Sequence, residues 1–599
     1  VERECFGHNP QTPRTLCRWA AVLSVALFVL IATPSAHAYI GPGAGFAFMS
    51  SFLVLFATFA LAFLMILTWP LRLLYRLIFS RNPYKSATYK KVVVVGLDGL
   101  DPKLTKRFME EGKLPNFSKL AEQGCFVPLR TMSPAMSPVA WSSFQTGVNP
   151  GKHNIFDFLT RDPKTYFPVL SSCVTGSGGK AELRLLRKST PFWVLLGNKG
   201  VFGSILRVPI TFPPEKFRGV SLSAMCVPDI RGSQGTFTFY SSQNGSGVTH
   251  TGGVQIPVRV SDNRIETYIS GPPAPGSEGG ELRIPITIKV LPDANAAELT
   301  VGDEVIHLRQ GIYSNWVTLE FKIGRWSSVK GICMFMLRQV SPQFELYVTP
   351  INLDPESPAM PVSHPVAFSV YLSKMQGKYA TLGLAEDTWA LNERVIDEDA
   401  FLKQAYQYHQ EREEMFFNAL SKTRKGVCAC VFDATDRIQH TFWRYLEPDH
   451  PANRNKEQDR HKNAIEDLYV RMDDLVGRTM AKLDDKTLFF VMSDHGFCSF
   501  RRGVNLNAWL HQNGYLALKD GLKESGDYFQ GVDWSKTKAF TLGLTGIFLN
   551  IKGREAQGTV EPGQEAEALK KEIIEKLKDL KDEQTVRLVF VRHLTARRT

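Results

Sequence analysis

Three acidic motifs in this chain of 599 residues each follow directly on a short apolar run, and one serine stands before a proline where a helical pattern begins. The first motif is Asp98, in Gly96-Leu97-Asp98-Gly99 after the run KVVVVGL. The second, after GVCACVF, contains Asp436 and His440, which stand four apart and share a face once the segment turns helical. The third is Ser493-Asp494-His495-Gly496 after TLFFVM. Carboxylates and imidazoles in this combination are ligands for divalent cations, and a set without thiolate suits Zn²⁺ and admits Mn²⁺. Ser137 precedes Pro138 and an apolar helical stretch, which puts its hydroxyl at a helix N-terminus, where free N–H groups favour a bound anion. Taken singly, each has a plainer reading: Asp98 as a turn former, Ser137 as an N-cap, Asp436 and His440 as a surface hydrogen bond. Adjacent Asp494 and His495 straight after an apolar run resist explanation by packing. Lys152 and Arg437 are candidate phosphate contacts, with a solvated surface charge as the alternative for each.

Those residues need elements to bring them together. Continuous apolar, β-branched runs are typical of parallel strands covered on both faces, so Lys91–Leu97, Gly426–Phe432 and Thr487–Met492 are read as buried core strands. Helical periodicity follows from Pro102 to Glu122 and returns over 401–421 and 463–483. Strand followed by helix makes an α/β layer, and ligands of open α/β sheets gather at the carboxyl ends of the strands, where all three motifs fall. The middle of the chain differs. Residues 233–366 show short alternating stretches such as Leu282–Val290 and Trp316–Lys322, separated by Gly, Pro and Asn, and are read as a β-rich insertion with an exposed loop at 271–280. The expected organisation is therefore a central, mainly parallel sheet flanked by helices, built from residues 91–232 and 367–599 around an insertion at 233–366.

Apolar residues at 44% and charged residues at 22% belong to a folded chain. A net charge of +12 favours anionic substrates or an anionic membrane surface, but the basic residues are scattered, so no nucleic-acid groove is expected. Nine cysteines without a C-x-x-C pair indicate neither a disulfide framework nor a thiolate zinc site, and Cys428 and Cys430 read as buried fillers on one strand face. Near the start, Trp19 to Thr33 is uncharged and apolar, follows Arg14 and Arg18, and precedes Ala36-His37-Ala38. Residues 1–38 are accordingly a signal peptide or a first membrane segment. Residues 45–69 form a second uncharged stretch, long enough at about 1.5 Å per residue to cross roughly 30 Å of hydrocarbon. Residues 39–90 are thus read as a transmembrane anchor followed by a basic segment from Arg72 to Lys91, which places the catalytic part on the cytoplasmic side, with the extracytoplasmic side as the alternative.

Four motifs in this order resemble the type I phosphodiesterase/nucleotide pyrophosphatase family of the alkaline phosphatase superfamily, over residues 91–170 and 397–550. In that family a strand-end D-G, a Ser or Thr nine residues before T-G, a D-x-x-x-H and an S-D-H-G build a site for two divalent metal ions. Asp98, Ser137 before Thr146-Gly147, Asp436 with His440, and Asp494 with His495 match them. The resemblance implies an alkaline-phosphatase-like fold in which Asp98, Asp494, His495 and the Ser137 oxygen hold one metal, and Asp436 and His440 the other, with zinc preferred. It further implies Ser137 as nucleophile, a phospho-serine intermediate, and a phosphodiester, nucleotide pyrophosphate or phosphomonoester substrate. The pattern departs in one place. The third histidine that the family supplies well beyond S-D-H-G has no matching motif before Thr599, His511 and His593 are the late candidates, and Arg592 to Thr599 reads as a truncated end. A membrane-tethered binding or scaffold protein with an incomplete metal site is therefore the reading from another class. A related phosphotransferase is the third, although such enzymes usually carry a Thr nucleophile and several spans. The modifiable C/S-x-P-x-R motif of sulfatases is absent at Ser137.

Overall fold

The computed structural model describes residues 56, 58–71, 83–175, 183–243, 250–275, 279–325, 327–454, 457–544 and 546–581. Two compact units divide the chain, residues 1–82 and 83–599. In the first, residues 58–71 are helical with Phe59, Phe63, Ile66 and Trp69 exposed. No helix among the described residues is long and apolar enough to cross a membrane. The signal-peptide reading over 1–38 and the first part of the span expected at 45–69 lie outside the described residues.

In the second unit six strands make the central sheet: β1 (Lys91–Leu97), β2 (Gly203–Leu206), β3 (Gly219–Leu222), β4 (Ser363–His364), β5 (Gly426–Phe432) and β6 (Thr487–Met492). Their spatial order is β4-β3-β2-β5-β1-β6. All neighbours pair in parallel except β4, which runs antiparallel to β3. The alternation of strand side chains explains why the runs are apolar throughout. Val93, Val95, Leu97, Cys428, Cys430 and Phe432 enter one core, while Val94, Val427, Ala429 and Val431 enter a second that contains Trp141 and Trp193. The first core also takes Leu104 and Phe108 of helix α1 (Pro102–Glu110) and Phe117 of α2 (Pro115–Gln123). The periodicity from Pro102 to Glu122, interrupted in sequence by Gly112 and Pro115, is carried by these two helices, each with a proline in its first turn. Trp141 belongs to α3 (Ser137–Thr146), on the opposite face. Three later helices, α4 (Glu398–Lys422), α5 (Ala434–Phe442) and α6 (Ala464–Met480), also pack into the first core through Phe416, Ile438 and Met472.

The third apolar strand departs from the expectation of full burial. β6 is an edge strand paired only with β1 among the described residues, it is half-buried, and Phe490 is 47% exposed.

Residues 237–353 form small sheets, the largest an antiparallel meander of Arg264–Pro273, Glu281–Leu291, Ala296–Val301 and Glu304–Arg309. Ile269, Ile288, Leu299 and Leu308 from this meander join the same core as β1 and β5. Gly271 does not belong to an exposed loop: it is buried in the strand that runs to Pro273, against Phe321. A separate apolar core unites Leu510, Tyr515, Phe540, Leu549, Leu569 and Ile573 in a C-terminal lobe, with Tyr166 inserted into it from the preceding part of the chain.

Candidate active site

α3 begins where Met136, with extended backbone, hands over to Ser137, and Pro138 occupies the first turn with its ring preset for the helix. This aims the Ser137 hydroxyl at the tip of β1. Its Oγ donates to Asp98 Oδ1 at 3.0 Å and lies 3.1 Å from His495 Nε2. One helical turn on, Trp141 Nε1 donates to Asp98 Oδ2 at 2.9 Å, so both oxygens of Asp98 are held. The chain then turns through Gly99 at φ +68°, a conformation open to glycine, and the Gly99 N–H donates to Asp494 Oδ1 at 3.1 Å. From α5, Thr435 Oγ1 donates to the Asp98 carbonyl at 2.5 Å and Gln439 Nε2 to the Gly99 carbonyl at 2.8 Å. Three strand tips are thereby fixed to one another.

His495 Nε2 lies 3.5 Å from Asp98 Oδ1, 3.6 Å from Asp494 Oδ2 and 3.8 Å from Asp436 Oδ1. Its other nitrogen, Nδ1, is 2.8 Å from the Gly496 carbonyl. A carbonyl only accepts, so Nδ1 carries a proton, which leaves Nε2 as the nitrogen that faces the carboxylates and can ligate a cation held there. One ligand atom from each of Asp98, Asp436 and His495 lies within 4.8 Å of the others. Asp436 is flanked by His440 Nε2 at 3.2 Å and Arg437 Nη1 at 3.6 Å.

Burial and mutual repulsion govern the charges. Burial and the nearby charge of Asp436 push Asp98 up to about 6, against the lowering pull of His495 and Trp141. Burial and Asp98 raise Asp494 well above its ordinary value. For Asp436 burial also acts upward but is outweighed by His440 and Arg437, which leave it below the usual carboxylate range. Buried carboxylates packed this closely call for cations. Asp494 Oδ2 is buried with no hydrogen-bond donor among the described residues, Asp436 Oδ1 has only the imidazoles of His440 and His495 beside it, and with His495 Nε2 they form an oxygen-and-nitrogen donor set that fits divalent metal ions.

The side chain of His440 is 61% exposed and sits edge-on to Phe497, ring centroids 4.7 Å apart. Among the described residues no imidazole besides that of His495 joins it at Asp436. His461 lies 3.6 Å from Glu398 and 3.5 Å from Asp399, His450 Nε2 meets the Phe500 carbonyl, and His511 Nδ1 meets the Leu516 carbonyl. His593 lies outside the described residues. Of the two expected phosphate contacts, Arg437 lines the cleft that opens from the site. Lys152 is exposed on the short helix Pro150–His153 and is not part of that lining.

Sequence reasoning missed Trp141, Thr435 and Gln439. The signal for Trp141 was its place one helical turn after Ser137, since an indole there brings a donor back to whatever the serine faces. Trp141→Phe keeps an aromatic ring in the core and removes that donor. It is expected to lower kcat/KM for a para-nitrophenyl phosphate ester by about tenfold, the scale of one hydrogen bond to a charged group. An unchanged value would separate the indole from the site's function.

The cleft has a volume of about 1430 Å³. Ser137, Asp436, Arg437, His440 and His495 lie in its lining. A search of curated proteins and a search of solved structures each found no match. A sequence model of type I phosphodiesterase/nucleotide pyrophosphatase matches residues 92–231 and 307–594, well over half of the chain, and omits most of the antiparallel meander. With strand-tip carboxylates, a helix-borne serine and this match in agreement, the chain belongs to the type I phosphodiesterase/nucleotide pyrophosphatase family.

Proposed function

We propose that this chain hydrolyses phosphate esters with Ser137 as the nucleophile, in a site that holds two divalent cations. The observation that supports this most is the position of the Ser137 hydroxyl, between Asp98 Oδ1 and His495 Nε2 at the N-terminus of α3 and in the lining of the cleft. Asp98, Asp494 and His495 would hold one cation and Asp436 with His440 the other, zinc being the preferred ion. Cations bound there lower the pKa of the hydroxyl and offset charge on the phosphoryl oxygens.

The chain's own residues supply the rest. Asp98 Oδ1 accepts the serine hydroxyl's hydrogen bond and fixes its direction, while Trp141 keeps the carboxylate from rotating. Arg437 is held beside Asp436 and presents a fixed positive charge to the phosphate in the cleft, to which the α3 N-terminus adds its dipole. In the first displacement the bond from Ser137 Oγ to phosphorus forms as the ester P–O bond breaks, and the alcohol leaves with a proton. In the second, water attacks phosphorus, the Ser137 O–P bond breaks, the serine takes a proton from that water, and phosphate departs from a monoester substrate or a phosphate monoester from a diester.

Metal dependence tests this reading. Exhaustive chelation of the full chain is expected to reduce hydrolysis of para-nitrophenyl phosphate esters by about a hundredfold or more, and added Zn²⁺ to restore it. Full turnover by protein shown by elemental analysis to be metal-free would overturn the proposal.

A further inference from the structure

We infer that the substrate's phosphate ester carries an extended alkyl or aryl group, received by an apolar wall of the cleft whose tip is Leu544. This rests on the reading of the site just given and specifies its substrate class. Four large apolar side chains, Phe158, Phe497, Phe500 and Leu544, line the same cleft as Ser137 and His440. Phe500 and Leu544 are each 76% exposed. Single exposed apolar residues mean little, but several converging in the cleft that holds the reacting groups are what a bound organic group would cover. The wall begins at the cation ligands, because Phe497 packs against His440 and stacks on Trp443 with centroids 5.3 Å apart.

Leu544 is held in place by a built clasp. It sits at the turn of the hairpin Ala539–Leu542 and Gly546–Leu549, in the C-terminal lobe. Its N–H donates to Asp157 Oδ2 at 2.8 Å, and Asp157 precedes Phe158 in sequence, so one carboxylate ties together two wall residues that are distant along the chain. The approach depends on Gly543. At φ +76° its backbone suits glycine, and a Cβ placed there would lie 2.5 Å from the Asp157 carboxylate oxygen. Further contacts fix the lobe on this arm: Arg161 pairs with Glu555 at 2.5 Å, Tyr166 stacks on Trp534 at 3.8 Å, and the Tyr166 hydroxyl donates to Asn550 at 2.9 Å. A small or strongly hydrated alcohol would leave the wall wet, whereas an alkyl or aryl group removes it from water.

The test uses the full chain loaded with zinc and three organic groups, methyl, octyl and phenyl, each supplied as the symmetrical diester and as the simple monoester. In whichever ester class turns over, kcat/KM for octyl or phenyl is expected to exceed that for methyl by about tenfold or more. Preference for octyl alone identifies an alkyl, lipid-like source, and preference for phenyl alone an aryl one. Leu544→Asp should bring the ratio toward one, while Leu195→Asp, an exposed leucine outside the cleft, should leave it unchanged. Equal kcat/KM across the groups, or a ratio indifferent to Leu544→Asp, overturns the inference while leaving phosphate-ester hydrolysis intact. Absence of turnover for every ester removes both together.

Discussion

Replacing Ser137 with alanine is expected to lower the turnover of a phosphate ester by about a thousandfold or more, with fold and bound metal retained, because the change deletes the atom proposed to attack phosphorus. The structural cost should be small. Ser137 is buried at the first turn of α3, where alanine is sterically acceptable behind Pro138, and the only hydrogen bond its hydroxyl donates goes to Asp98. Asp98 would keep the indole donor of Trp141 on its other oxygen, so the loss in stability should be about 1 kcal/mol. Circular dichroism, elemental analysis and initial rates on one preparation separate the possibilities. Retention of more than about a tenth of the wild-type rate in a folded, metal-loaded variant would move the attacking group from Ser137 to water.

How far the sequence anticipated this arrangement depended on what each residue needed from the rest of the chain. Strands β1 and β5 were legible because burial on both faces leaves an uninterrupted apolar run, and Val94 and Val95 enter opposite cores as such a run requires. The same reasoning placed TLFFVM deep in the sheet, yet β6 stands at its edge with Phe490 exposed. An apolar run announces a strand but not its neighbours. Asp98, Asp436, Asp494 and His495 could be found because polar residues at the ends of apolar strands have few structural reasons to be there, and the structure brings them together with Ser137. Thr435 and Gln439 could not. They act through the carbonyls of Asp98 and Gly99, and that contact exists only because β1 and β5 pair with Leu97 opposite Phe432. Leu544 and Asp157 were equally hidden, since a hairpin in one lobe and a loop before another share no local pattern.

Asp98→Asn should separate two consequences of the carboxylate cluster, stabilising the metal-free fold at neutral pH while removing most of the activity. In the folded, metal-free chain Asp98 is pushed from 3.8 up to about 6, by burial first and by the charge of Asp436 second. A carboxyl with a raised folded-state pKa destabilises the fold where it is forced to ionise. Below about pH 4 the proton is bound in both folded and unfolded chains and nothing is lost; the loss grows between about 4 and 6 and is complete above, at roughly 3 kcal/mol for a shift of this size. Asparagine removes that loss and keeps the hydrogen bonds, its carbonyl accepting from the Trp141 indole and its amide donating to Ser137 Oγ. Chelated Asp98→Asn protein should therefore melt above chelated wild type at about pH 7.5, and the difference should vanish by about pH 4. Zinc should narrow that difference at about pH 7.5. A cation present at a hundredfold excess over its dissociation constant stabilises wild type by about 2.7 kcal/mol, and a variant lacking one charged ligand forgoes much of this. Turnover of the variant should fall by about a hundredfold or more for the same reason. If chelated Asp98→Asn melts below chelated wild type at about pH 7.5, the buried carboxylates do not repel one another as their geometry implies, and the case for cations between them weakens accordingly.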